Sequence, residues 1–147
     1  MTSKNFLPYF DISNFYHEHR VEINELNHLV FSSGRLMDGP YTESCEKELS
    51  KMYDYPHTAM VGSCTDALFF ALTANNIQAG DEVIITSFSF IGSLTPIIRA
   101  GAIPVFVDVC TENGLMNISE ITKKITSKTK AIIAVHLYGQ VLDMEVI

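Results

Sequence analysis

Between residues 61 and 70 the chain reads VGSCTDALFF, where an apolar approach (Thr58-Ala59-Met60-Val61) stops at four small or polar residues and turns into helix formers. Three chemistries fit Gly62-Ser63-Cys64-Thr65. Ser63 is a good N-cap for a helix beginning there, which would make the turn ordinary punctuation. Cys64 at a helix N-terminus would have its thiol pKa depressed, but a nucleophile also needs a base, and nothing assigns one among the five histidines. A helix start leaves unpaired N–H groups and a positive dipole end, so small residues there can cradle an anion, with Ser63 and Thr65 adding hydroxyls. The turn carries neither the G-x-x-x-x-G-K-[ST] nor the G-x-G-x-x-G pattern. Asp66 in the first turn suits the dipole but would repel a bound anion.

Other groups invite chemistry less strongly. His17-Glu18-His19 diverges on a helix and has no further ligand cluster nearby, which disfavours a metal. Asp81-Glu82 follows Ala79-Gly80 and opens a strand, so a solvated turn fits better than acid–base work. Lys123, Lys124, Lys128 and Lys130 read as an exposed helix face and loop. Asn117-Ile118-Ser119 matches a glycosylation sequon by accident. Cys45, Cys64 and Cys110 form no CxxC pair. An odd count without an export signal suggests reduced thiols in a cytoplasmic protein.

The elements that would position these residues follow from the rest of the chain. Its 147 residues, 47% of them apolar, suffice for about one domain with a core. The formal charge is −7 and the ten basic residues are scattered, which argues against a nucleic-acid partner. No apolar run approaches the length of a membrane span, and the N-terminus lacks a signal-peptide pattern.

Phe6 to Phe10 reads as extended, residues 22–31 as a helix ended by Ser32-Ser33-Gly34, and residues 41–53 as a helix capped by Thr42. From residue 57 the pattern is regular. Strands are expected at 58–62, 82–86, 104–109 and 131–135, and helices at 65–75, 91–100 and 118–126. Asn117 and Glu120 form a capping-box-like start to the last helix. Apolar strands alternating with helices predict βαβ units and a parallel sheet covered on both faces. The expected division is an N-terminal helical segment, 1–56, and the first part of a larger α/β domain, 57–147. Asp143 reads as the cap of a helix that would have only one turn before Ile147, so the sequence looks like a piece of a longer protein.

Four blocks in order, GSCTDALFFAL, GDEVIITSFSF, AGAIPVFVDV and TKAIIAVHLYGQVLDM, resemble the DegT/DnrJ/StrS family of sugar aminotransferases, and SGRLMDGPYTESCEKEL resembles an earlier family block. The resemblance implies a fold-type-I architecture: a three-layer α/β large domain, mainly parallel, here incomplete at its C-terminus. It also implies pyridoxal 5′-phosphate (PLP) as cofactor. Ser63-Cys64-Thr65 stands where the family has Ser-Gly-Thr, so Cys64, Thr65 and Asp66 are expected at the PLP phosphate. Phe90 matches the aromatic that stacks on the pyridine ring, against the plainer reading of a core residue after a strand. His136 matches the family's V-H and is expected to line the pocket, although an isolated histidine is often structural.

Cys64 replaces the usual Gly or Ala and Asp66 a small residue, which would alter phosphate affinity; Cys45 replaces a common Phe, a packing change. The family's pyridinium-facing Asp and Schiff-base Lys fall beyond Ile147, and none of the seven lysines matches that motif, so the 147 residues alone are not expected to turn over. The implied activity of an intact enzyme is transfer of an amino group, usually from glutamate, to a nucleotide-linked keto-sugar, by a cytoplasmic homodimer in amino-sugar or surface-polysaccharide synthesis. The alternatives are a same-fold PLP-dependent keto-deoxysugar dehydratase and a non-catalytic remnant.

Overall fold

The computed structural model describes residues 11–147, and the expected extended stretch at Phe6 to Phe10 lies outside them. The chain divides into two compact units, Met1–Met60 and Val61–Ile147.

In the first unit α1 runs Ser13–Ser33, well beyond the expected 22–31. The Asp11 carboxylate accepts from the Ser13 N–H at 2.8 Å and so starts the helix early. Gly34 ends it with φ 69°, its N–H donating to Phe31 O, a left-handed position where a Cβ would be strained. Helix α2 spans Pro40–Tyr53. Thr42 is not its cap: Pro40 has a fixed φ and no N–H, which suits the first helical position, so Gly39 becomes the N-cap and Thr42 lies inside the first turn. The expected strand at 58–62 is absent. A strand exists only with a neighbour to bond, and the Met60 N–H instead donates to the Glu46 carboxylate at 2.8 Å.

The second unit holds α3 (Cys64–Ala74), β1 (Glu82–Thr86), a 3-10 turn (Ile91–Ser93), α4 (Thr95–Arg99), β2 (Ile103–Val107), α5 (Ile118–Lys124), β3 (Thr129–Ile133) and a second 3-10 turn (Leu137–Gly139). The three strands form a parallel sheet in the order β2-β1-β3. Glu82-Val83-Ile84-Ile85-Thr86 is at its centre because a β-branched run suits a strand buried on both faces. Val83, Ile84 and Ile85 are each 0% exposed.

Alternation along β1 sorts the core into two. Val83 and Ile85 face Leu72 of α3, Ile97 of α4 and Ile133 of β3. Ile84 faces the other way, with Val107, Leu115, Met116, Ile121 of α5 and Leu142. Helices therefore cover both faces of the sheet, in three layers.

Several boundaries moved for local reasons. The expected helix at 91–100 is split, because Pro96 cannot donate within a helix and Gly92 is a poor helix former. Strand β2 stops at Val107, and Val109 instead makes an antiparallel bridge with Met116. Strand β3 begins two residues earlier than expected and ends at Ile133. Asn117 caps α5 by accepting from the Ser119 N–H, while Glu120 bonds Lys123 at 2.7 Å rather than closing a capping box. Asp143 caps a turn by accepting from the Glu145 N–H at 3.1 Å, and no helix is formed there.

Candidate functional site

Helix α3 opens at Ser63, whose backbone is extended. The Ser63 hydroxyl accepts from the Asp66 N–H at 3.1 Å, and Ser63 O accepts from the Ala67 N–H at 3.0 Å. The first bond fills one of the donors a helix start leaves open, and the second is the first regular bond of the helix. Among the described residues the N–H groups of Cys64 and Thr65 have no partner. The turn is thus a cap and also a pair of open donors at a positive dipole end.

Thr65 stands against the connection that leaves the carboxyl end of β1. A Cβ placed on Gly92 would lie 2.6 Å from Thr65 Oγ1 and 2.7 Å from the Phe90 ring. Only glycine lets these three groups converge. Phe90 is 75% exposed, so it is no core residue; its ring is presented to solvent beside the Thr65 hydroxyl. This is the end of a parallel sheet at which α/β folds bind ligands.

Asp66 is differently engaged from the sequence expectation. Its Oδ1 accepts from Arg99 Nη1 at 2.8 Å and its Oδ2 from the Ser63 hydroxyl at 3.0 Å. The Arg99 hydrogen bond, then that of Ser63, holds its carboxyl below the ordinary 3.8. The Arg99 guanidinium also lies 4.2 Å from the centroid of the Phe69 ring. Asp66 therefore brings neither an open N–H nor an uncompensated charge to the cradle, and the Ser63 hydroxyl is turned to Asp66. Arg99 is 33 residues away in sequence and carries no local signal. Gly92 carried a weak one, a glycine inside an expected helix.

His136 follows β3 at the same end of the sheet. Its Nδ1 accepts from the Leu142 N–H at 3.1 Å, which fixes the ring and, in the neutral form, puts the proton on Nε2. The ring is exposed.

Other polar groups have structural partners. Asp81 accepts from the Gln78 N–H, and Glu82 from the Thr126 and Thr129 hydroxyls, at the opposite, amino end of β1. His19 pairs with Glu22 at 3.3 Å. Among the described residues no cluster of His, Cys, Asp or Glu could hold a metal ion, and no helix is long and apolar enough to cross a membrane. All three cysteines are free thiols, Cys45 and Cys64 exposed.

Comparison with known proteins decides the family, because the profile of the DegT/DnrJ/EryC1/StrS aminotransferase family matches residues 17–147. The chain belongs to this family. Within the DegT/DnrJ/EryC1/StrS group it is 38% identical over 141 residues to the pleiotropic regulatory protein of Geobacillus stearothermophilus, covering 96% of this chain and 38% of that protein. It is 35% identical over 139 residues to a dTDP-3-amino-3,4,6-trideoxy-alpha-D-glucose transaminase of Streptomyces venezuelae, covering 95% and 38%. The fold matches NtdA from Bacillus subtilis, solved with bound cofactor PMP, at a TM-score of 0.87 and 31% identity over 99% of this chain and 34% of NtdA. The chain thus spans little more than a third of the length of these relatives, and its architecture is that of the PLP-dependent aminotransferases.

Proposed function

We propose that the chain is the cofactor-phosphate-binding part of a PLP-dependent aminotransferase acting on a nucleotide-linked keto-sugar. The observation that carries this reading is the convergence of Thr65, Gly92 and Phe90 beside the two open N–H groups of α3. The donors suit a phosphate, the glycine leaves room for close approach, and the exposed ring suits a flat heterocycle. When bound, the cofactor supplies the electron sink through which an amino nitrogen passes between donor and acceptor.

In this reading the Cys64 and Thr65 N–H groups and the Thr65 hydroxyl bind the phosphate. Phe90 covers one face of the ring, and His136 lines the pocket with its Nε2–H. Asp66 acts through its partners rather than on the phosphate. The Lys and Asp needed for covalent attachment and for the pyridinium are assigned outside these 147 residues. Residues 1–56 are assigned as an N-terminal helical segment and 57–147 as the first part of the PLP-binding domain. The amino donor is glutamate, the working form a homodimer, and the setting cytoplasmic synthesis of amino sugars or surface polysaccharide. Amino transfer is preferred to dehydration on the same fold because the Streptomyces venezuelae relative is a transaminase.

Pyridoxamine 5′-phosphate (PMP) tests the reading without forming imines with surface lysines. The chain is expected to bind PMP more tightly than pyridoxamine, with inorganic phosphate competing and amide NMR shifts at Cys64, Thr65 and Gly92. Thr65→Val should weaken PMP about threefold to tenfold through the lost hydroxyl, and Thr65→Ser should restore it. Equal binding of PMP and pyridoxamine would favour a non-catalytic remnant.

A further inference from the structure

We infer that Arg99 is a positioning residue for the phosphate cradle: it cancels the charge of Asp66 at the mouth of α3 and so permits an anion to sit on the Cys64 and Thr65 N–H groups. The inference rests on the proposed phosphate site and names a residue that no sequence motif marks. A carboxylate at the third position of α3 stabilises the helix alone, yet it stands one residue from the open donors and repels the ligand they suit. Nothing about α3 by itself resolves that conflict.

Helix α4 resolves it. Arg99 is its last residue, and its side chain crosses to α3, where Nη1 meets Asp66 Oδ1 at 2.8 Å. The guanidinium is held from a second direction by the Phe69 ring, 4.2 Å away, one turn along α3 from Thr65. The Ser63 hydroxyl takes the other carboxylate oxygen at 3.0 Å. Both oxygens of Asp66 are thereby turned to donors of the protein, and these hydrogen bonds, that of Arg99 first, hold its carboxyl below the ordinary 3.8. The same α4 follows the turn carrying Gly92, so one short segment supplies the close approach to Thr65 and the counter-charge to Asp66.

A merely structural Arg99 would affect all ligands alike, whereas a charge-cancelling one affects only the phosphorylated ligand. The test compares PMP and pyridoxamine binding to the chain by calorimetry in wild type, Arg99→Met, Asp66→Asn and the double variant. Arg99→Met is expected to weaken PMP about threefold to fivefold and leave pyridoxamine unchanged. The double variant should regain wild-type affinity, because the repulsion has been removed with its cause. Asp66→Asn alone should bind PMP tighter than wild type and lose that gain at high salt. If Arg99→Met does not fold, this tightening still decides: unchanged or weaker PMP binding by Asp66→Asn overturns the inference. So does a double variant as weak as Arg99→Met in a chain whose wild type binds PMP normally. A wild type that does not distinguish PMP from pyridoxamine instead removes the phosphate reading and this inference with it.

Discussion

Thr65 and Gly92 approach so closely that one missing carbon separates fit from clash: a Cβ on Gly92 would stand 2.6 Å from Thr65 Oγ1. The same Cβ would press on the Phe90 ring at 2.7 Å. Gly92→Ala must therefore displace the Thr65 hydroxyl or the Phe90 ring, or both. Because Phe90 is exposed and its ring can swing away, the stability cost should lie near the low end of about 1–3 kcal/mol. PMP affinity should fall about threefold to tenfold as the hydroxyl loses its place. Calorimetric titration beside a urea melt separates the two effects, and full PMP affinity in the variant would refute the convergence argument.

Ser63 serves Asp66 twice, accepting its N–H and donating to its carboxylate. Ser63→Ala removes both bonds and should cost about 1 kcal/mol of stability. Ser63→Asp, which keeps an N-cap acceptor but sets a second carboxylate beside Asp66, should recover less than Ser63→Thr. Chemical denaturation at neutral pH reads the order.

The Asp66 pair also dictates a direction in pH. Its folded-state carboxyl pKa is lowered from 3.8 by the Arg99 hydrogen bond and then by Ser63. The unfolded chain thus binds the proton more readily, and the pair's contribution to stability is complete above the unfolded value. That contribution declines as pH falls through the depressed folded value. Asp66→Asn should flatten the acid limb of the stability profile below about pH 4 and leave its slope at neutral pH unchanged. An acid limb identical to wild type would show that the ion pair does not persist in solution.

Ile84 is 0% exposed and packs among Val107, Leu115, Met116 and Ile121 on the α5 face. Ile84→Ala should cost about 2–5 kcal/mol, lost burial and cavity together. Since Ile84 points away from α3 and α4, the surviving folded population should retain PMP affinity. A urea midpoint within error of wild type would mean that the second core is not packed as described.

How far the fold was legible depended on whether a signal was local. Strand β1 was bounded correctly because Glu82-Val83-Ile84-Ile85-Thr86 declares itself by β-branched composition, followed by a Ser-rich turn. Helix α3 was placed within one residue because Ser63 is a strong cap. The stretch 58–62 is also largely apolar, but it has fewer β-branched residues and no partner strand among the described residues, and pairing is not written in the segment itself. Pro40 overrode Thr42 as the start of α2 through backbone geometry that periodicity does not see. At the site, Thr65 and Phe90 stood out by their motif blocks. Gly92 and Arg99 matter only through contacts across the fold, which no window of sequence contains.

The central position of β1 also sets an order of events during synthesis. It is the first of the three strands to leave the ribosome, yet its neighbours are Ile103–Val107 and Thr129–Ile133, both made later. Parallel pairing forbids a hairpin, so each neighbour must return through a crossover before any ladder bond can form. At about 5–20 residues per second, β1 and the apolar face of α3 wait for seconds with open edges and uncovered isoleucines. The strand that ends with both edges paired is thus made before either of the neighbours that pair them.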